Sequence, residues 1–161
     1  GTTSAYAAPE QVRAIAGTIA GLGAGAVITG YDPAQLGDLP NDVVAYRFVP
    51  QSVLLPHCAA VICHAGANTL LGALANGVPL VLAPAGADHF DNTRAAVRRR
   101  VAVALDQSTG LASLEGALGK VLGDREIRRA AAEVAEEIAG MPTAAAAAEG
   151  ILAWLEQRTV A

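Results

Sequence analysis

The sequence predicts an α/β fold in which one parallel sheet is covered by helices on both faces. Three observations predict it. Short apolar runs without polar alternation recur along the first hundred residues, the pattern of strands buried on both sides. Segments with helical spacing separate those runs, as parallel crossovers require. Beyond Leu105 no strand-like run appears, and alanine-rich helix formers fill the remainder. One domain of residues 1–161 is therefore expected, with the sheet core at 1–105 and helices at 106–161.

Each element follows from local pattern. Val12, Ile15, Ile19 and Leu22 recur at helical spacing, and Pro9 suits the first helical position. Gly21, Gly23 and Gly25 end that pattern before a short strand at Ala26–Thr29. Tyr31–Asn41 holds two prolines and reads as loop. Val43–Phe48 is the second strand, Gln51–His57 a short helix and Ala59–Cys63 the third strand. A helix is expected from Asn68 to Asn76, closing on Gly77, with Leu80–Ala83 as the fourth strand. Asp88 can cap a helix that carries Phe90 and Val97 inward, and Val101–Leu105 is the fifth strand. Helices follow at about Ser108–Leu122, Asp124–Ala139 and Thr143–Glu156, with Ser108, Asp124 and Thr143 as N-caps.

Composition excludes several functions. The 53% hydrophobic content is largely alanine, and no apolar run approaches the roughly 18 residues of a membrane helix. No membrane span is expected. The net charge of −4 argues against nucleic-acid binding, which relies on a basic surface. Cys58 and Cys63 lie within one strand–turn segment and read as reduced thiols of a cytoplasmic protein. Lys120 is the lone lysine among the basic residues, an arginine bias that points to a high-GC bacterial source.

The chemistry concentrates at His64–Gly77, HAGANTLLGALANG, and the following VPLVLAPAGADHFDN. A histidine ends an apolar run, a small-residue turn follows, and a helix begins. The free N–H groups and partial positive charge of a helix start make an anion site, and a neighbouring histidine adds a donor. Ligands of open parallel sheets sit beyond the carboxyl ends of the strands. The segments Phe48–Gln51, His64–Thr69 and Pro84–His89 all follow strand ends. A zinc reading of His57, Cys58, Cys63 and His64 fails on spacing, and strand alternation turns Cys63 and His64 apart. No metal site is expected.

These motifs resemble the donor-binding signature of nucleotide-sugar glycosyltransferases of the two-domain GT-B fold, H-G-G-x-G/N-T/S…G-V-P…P…D-Q…N. The matching residues are His64, Gly66, Asn68, Thr69, Gly77, Val78, Pro79, Pro84, Asp88 and Asn92. Arg47-Phe48-Val49-Pro50-Gln51 resembles the family's aromatic-x-Pro-Gln segment, and Gly1-Thr2 the loop after the first strand of its second domain. The resemblance implies the Rossmann-like three-layer sandwich that forms the C-terminal half of such enzymes, most similar to bacterial natural-product members. It implies an inverting, metal-independent transfer of a sugar, with no cofactor beyond a dTDP- or UDP-sugar donor, to a hydroxyl of a small-molecule acceptor. The family's N-terminal domain binds that acceptor and supplies the base, and nothing in residues 1–161 corresponds to it. Either residues precede Gly1 in the full protein or the chain was cut, so donor binding without turnover is expected and no catalytic residue is assigned here.

By the same resemblance, His64, Gly66, Ala67, Asn68, Thr69 and Thr2 contact the diphosphate. Asn68 and Thr69 also suit an ordinary N-cap. Phe48, Val49, Gln51 and Gly72 surround base and ribose. Phe48 is read equally as a stacking ring or as core, and Gln51 could instead cap the short helix after it. Asp88 and His89 contact the sugar, with His89 replacing the family's glutamine; other roles for them are a helix cap and a solvated first-turn residue. Asn92 reads as structural. Gly72 replaces a glutamate that grips both ribose hydroxyls in uridine-using members, which implies a 2′-deoxyribose donor such as a dTDP-deoxysugar. Three alternatives stay open: a standalone subunit with a separate acceptor partner, a UDP-GlcNAc lipid-linked sugar transferase domain, and a nonenzymatic nucleotide-binding module. Whether the full protein is a homodimer is also open.

Overall fold

α1 (Pro9–Gly21) begins where expected: Pro9 supplies a preset φ, and the Gln11 side chain accepts from the Ala8 N–H at 3.0 Å. The computed structural model describes residues 8–106 and 108–159. α1 leads to β1 (Ala26–Thr29), which pairs in parallel with β2 (Val43–Tyr46). The segment between them, expected as loop, contains α2 (Pro33–Leu36). Asp32 caps it by accepting from the Ala34 N–H at 3.2 Å, and Leu36 is fully buried. One helical turn is too short to display a 3.6-residue period, so it left no mark on the pattern.

α3 (Gln51–Leu54) continues into a 3₁₀ turn at Leu55–His57. Then β3 (Val61–Cys63), α4 (Ala67–Ala75), β4 (Leu80–Leu82), α5 (His89–Arg98) and β5 (Ala102–Ala104) alternate. β4 lies between β3 and β5, parallel to both, with Leu82 opposite Cys63 and Ala104. Its side chains feed two cores. Leu80 and Leu82 join the cluster containing Leu70, Leu74 and Ala131 of α4 and α7, whereas Val81 joins Leu114, Leu118 and Val121 of α6, against Ile15 and Ile19 of α1. This is the alternation that places strand neighbours on opposite faces.

The single sheet expected from sequence is instead two, β1–β2 and β3–β4–β5. No described strand hydrogen-bonds to the second edge of β1 or of β3. The β1–β2 pair is also covered on one face only, since Val27, Val44 and Tyr46 are exposed. Apolar composition marks a strand that can be buried, not one that has been covered.

α5 rotates away from its expected orientation. Phe90 and Val97 are 44% and 42% exposed, and the buried residues are His89, Thr93 and Ala96. Positions 89, 93 and 96 form one stripe, and their immediate successors lie about 100° around the helix. The helix expected from Ser108 also starts later. The Ser108 N–H and hydroxyl both donate to Asp106 Oδ1, at 2.8 and 2.6 Å, which makes Ser108 part of a turn. A 3₁₀ turn at Gly110–Ser113 precedes α6 (Leu114–Gly123).

α7 (Arg125–Ala139) has its expected cap, Asp124, which accepts from the Glu126 N–H at 2.8 Å. Gly77 closes α4 at φ +66°, and a Cβ there would lie 3.6 Å from Ala132 Cα of α7, so both backbone angle and close approach call for glycine. α8 (Ala144–Thr159) presents Ile151, Leu152, Trp154 and Leu155 at its surface, with the Arg158 guanidinium 4.8 Å from the Trp154 ring centre. Among the described residues, no single helix is long and apolar enough to cross a membrane. Both cysteines are free thiols.

Candidate functional site

The carboxyl ends of β3 and β4 deliver the two loops that build the site. After β3 the chain passes through His64 and Ala65 to Gly66, the N-cap of α4. α4 therefore starts at Ala67, one residue earlier than expected, and Asn68 and Thr69 are first-turn residues, not caps. Gly66 has no side chain to cap the helix, and among the described residues no side-chain cap hydrogen bond is made at that helix start. The free N–H groups of that turn are left for a ligand. α3 and α4 contain no charged residue.

Gly66 has an ordinary extended conformation, φ −62° and ψ 135°, open to any residue. What excludes a side chain is His64: a Cβ on Gly66 would lie 2.6 Å from the His64 Nε2. The imidazole thus lies directly over the N-terminus of α4. Burial is the main cause holding the His64 pKa below its usual value; His89 lowers it further and Asp88 opposes them. Ala65 is fully buried at φ +68°, a left-handed conformation that costs an alanine about 1 kcal/mol. Ala87, in the loop after β4, is left-handed too, at φ +51°. Strain of this kind persists where surrounding contacts impose it.

Asn92 supplies one such contact. Its Nδ2 donates to the Ala65 carbonyl at 3.0 Å and to Asp88 Oδ2 at 2.8 Å, tying the two loops together. Asp88 precedes α5 but makes no side-chain cap; its carboxylate is held by Asn92 instead and stays exposed. His89 is not a solvated first-turn residue. It is 5% exposed, and its ring centre lies 4.5 Å from that of His64 with the planes 66° apart, edge to face.

A second group gathers at the side of α4. Gln51 does not cap α3, whose N-cap is Pro50. Its Nε2 instead donates to the Thr69 hydroxyl at 3.0 Å. A Cβ on Gly72 would lie 3.3 Å from Leu55 Cδ1 and 3.5 Å from Gln51 Oε1, so Gln51 occupies the flank that the glycine leaves open. Phe48 is 79% exposed beyond the end of β2, which removes the core reading. Val49 follows it. Thr2 and the Gly1-Thr2 loop lie outside the described residues. The structure thus brings His64, Gly66, Thr69, Asp88, His89 and Asn92 together, with Gln51 of α3 beside Gly72 on the flank of α4. The structural role read for Asn92 takes the form of this bridge, whereas the strain at Ala65 went unread, although alanine at a position that the signature fills with glycine is a signal of left-handed backbone.

Parallel strands covered by helices, with a histidine held over a helix N-terminus, place the chain in the α/β class, and comparison with known proteins narrows that class to a family. Residues 13–153 match the model of the erythromycin biosynthesis protein CIII-like C-terminal domain. Over 126 residues the chain is 36% identical to an L-demethylnoviosyl transferase of Streptomyces niveus, covering 78% of this chain and 32% of that protein. The solved structure of CalG4, the calicheamicin glycosyltransferase, superposes with a TM-score of 0.87 at 27% identity, covering 98% of this chain and 42% of that one. That of the glycosyltransferase VinC in complex with dTDP gives 0.80 at 26% identity, with coverage of 91% and 38%. The chain belongs to the erythromycin biosynthesis protein CIII-like C-terminal domain family, a family of natural-product glycosyltransferases. It spans about a third of the length of the transferase from Streptomyces niveus.

Proposed function

We propose that the chain is the donor-binding half of an inverting, metal-independent glycosyltransferase that moves a sugar from a dTDP- or UDP-sugar to a hydroxyl of a small natural-product acceptor. The observation that carries the reading is the His64 imidazole lying over the uncapped N-terminus of α4. In this mechanism the donor diphosphate sits on the N–H groups of Ala67, Asn68 and Thr69. As the bond to the anomeric carbon breaks, negative charge grows on the leaving diphosphate, and the helix end and His64 stabilise it without rearranging. Asp88, oriented by Asn92, accepts from sugar hydroxyls, while Phe48 and Val49 flank the base. The acceptor and the base that deprotonates it belong to a separate domain, so the acceptor oxygen attacks from the face opposite the leaving group.

The proposal includes a preference for a deoxyribose donor. Gln51 offers a single amide along the Gly72 flank, where a carboxylate would accept from two ribose hydroxyls at once. Calorimetric titration with dTDP and UDP tests both parts. Saturable binding of dTDP, several-fold tighter than UDP, is the expected result. Tighter binding of UDP would sink the deoxyribose preference, and failure to bind either with His64 intact would sink the donor-site reading.

A further inference from the structure

The two imidazoles at the start of α4 and α5 have a joint role that the donor-site reading does not require. The diphosphate of a nucleotide sugar carries two negative charges. Across α3, α4 and the loops 64–66 and 83–88 there is no lysine or arginine to meet them. The groups there able to become cationic are His64 and, at the first position of α5, His89. These two rings touch, 4.5 Å between centres, and His89 is almost completely buried against its partner.

We propose that His89 is a positioning residue for the donor: its buried ring holds the His64 imidazole over the N-terminus of α4 and opposes charge on it, so that donor binding draws one proton from solvent. The inference rests on reading this site as a nucleotide-diphosphate site. Geometry supports the first half. His64 Nε2 lies 2.6 Å from where a Gly66 Cβ would be, and a ring so placed needs a wall behind it. The edge-to-face contact from α5 is a wall of that kind, and a glutamine, flexible and without a ring, cannot reproduce it.

Charge supports the second half. Two imidazoles at this separation resist double protonation, and the N-terminal end of α4 adds partial positive charge. Among the described residues, the other titratable group acting on His64 is Asp88, which favours its charge. Asp91 and Arg94, also on α5, are exposed and paired with each other. Burial above all, then His89, hold the His64 pKa below its usual value in the free protein, and the negative charge of a bound diphosphate would raise it. Between those two values binding takes up a proton, so affinity falls as pH rises through that window. Below the window, where His64 is already charged, affinity levels off.

The test is calorimetric titration with dTDP-glucose from pH 5.5 to 8.5, roughly bracketing an ordinary histidine, in buffers of different ionisation heat. That ligand has no ionisation of its own near neutrality. The unaltered protein is expected to take up a proton, approaching one inside that window, and to bind more weakly at the alkaline end. His89→Phe keeps a ring and removes the opposing charge, so the fall in affinity moves to higher pH. His89→Ala removes the wall and weakens binding about tenfold, the equivalent of one well-directed hydrogen bond to a charged group. If His89→Ala fails to fold, the pH profile of His89→Phe decides. His89→Phe and His89→Ala binding like the unaltered protein at every pH, while His64→Ala has lost binding, would overturn the inference and leave the donor site standing. His64→Ala binding normally would instead remove the donor-site reading, and this inference with it.

Discussion

Gly66→Ala is expected to weaken binding of dTDP about 10- to 100-fold, as much as His64→Ala does. A methyl group 2.6 Å from Nε2, and 3.3 and 3.4 Å from the neighbouring ring carbons, leaves no room for the imidazole over the helix end. The ring has to swing out, and the hydrogen bond lost to a charged phosphate is worth about 1.5–3 kcal/mol. The backbone stays where it is, because φ −62° and ψ 135° suit alanine. Replacing glycine by alanine at an N-cap costs about 1 kcal/mol of stability, so the protein should fold while binding poorly. A double-mutant cycle with His64→Ala checks the cause. If both changes act through the same ring, the double variant binds no worse than either single one; additive losses would show that Gly66 contacts the ligand by itself.

Leu82→Ala is expected to have the largest effect on stability. Leu82 is fully buried on β4, flanked on both sides by hydrogen-bonded strands, and its side chain enters the core under α4 and α7. Truncating a leucine in such a place costs about 2–5 kcal/mol, from lost burial and the cavity left behind. For a chain of this size that lowers the melting temperature by roughly 4–20 °C. Val44→Ala provides the contrast. Val44 also sits on a strand but faces the uncovered side of the β1–β2 pair, and its loss should cost less than about 1 kcal/mol. Denaturant unfolding at unchanged m-value measures both. Equal losses at the two positions would mean that the β1–β2 face is covered in solution.

Much of the site was legible because its signals are local. A histidine at the end of an apolar run, a small-residue turn and a helix that ends on glycine are all neighbours in the chain. Their order alone places an imidazole and a helix N-terminus together. The strands at 26–29 and 80–82 were legible because their apolar residues are consecutive. His89 was harder. Read along the sequence it is a polar first-turn residue beside Asp88, and nothing local distinguishes a solvated imidazole from one lodged against His64. The same gap misplaced Phe90 and Val97: apolar identity suggested the inward stripe, while packing chose the one through His89, Thr93 and Ala96. Phe48 shows the converse, an aromatic ring left at the surface where composition alone allows a core.

The sequence by itself determined the alternation of strands and helices, the caps at Asp124 and Gly77, and the small-residue turn that leads from His64 into α4. Each of these depends on periodicity or on the conformational limits of single residues, which act over a few positions. The tertiary structure alone decided how far α5 turns about its axis, which strands share a sheet, and that Asn92 and His89 reach across to the loop after β3. Rotating a helix or parting two strands leaves every local propensity unchanged. Only contacts between residues distant in the chain distinguish those arrangements, and such contacts carry no signature in any one segment.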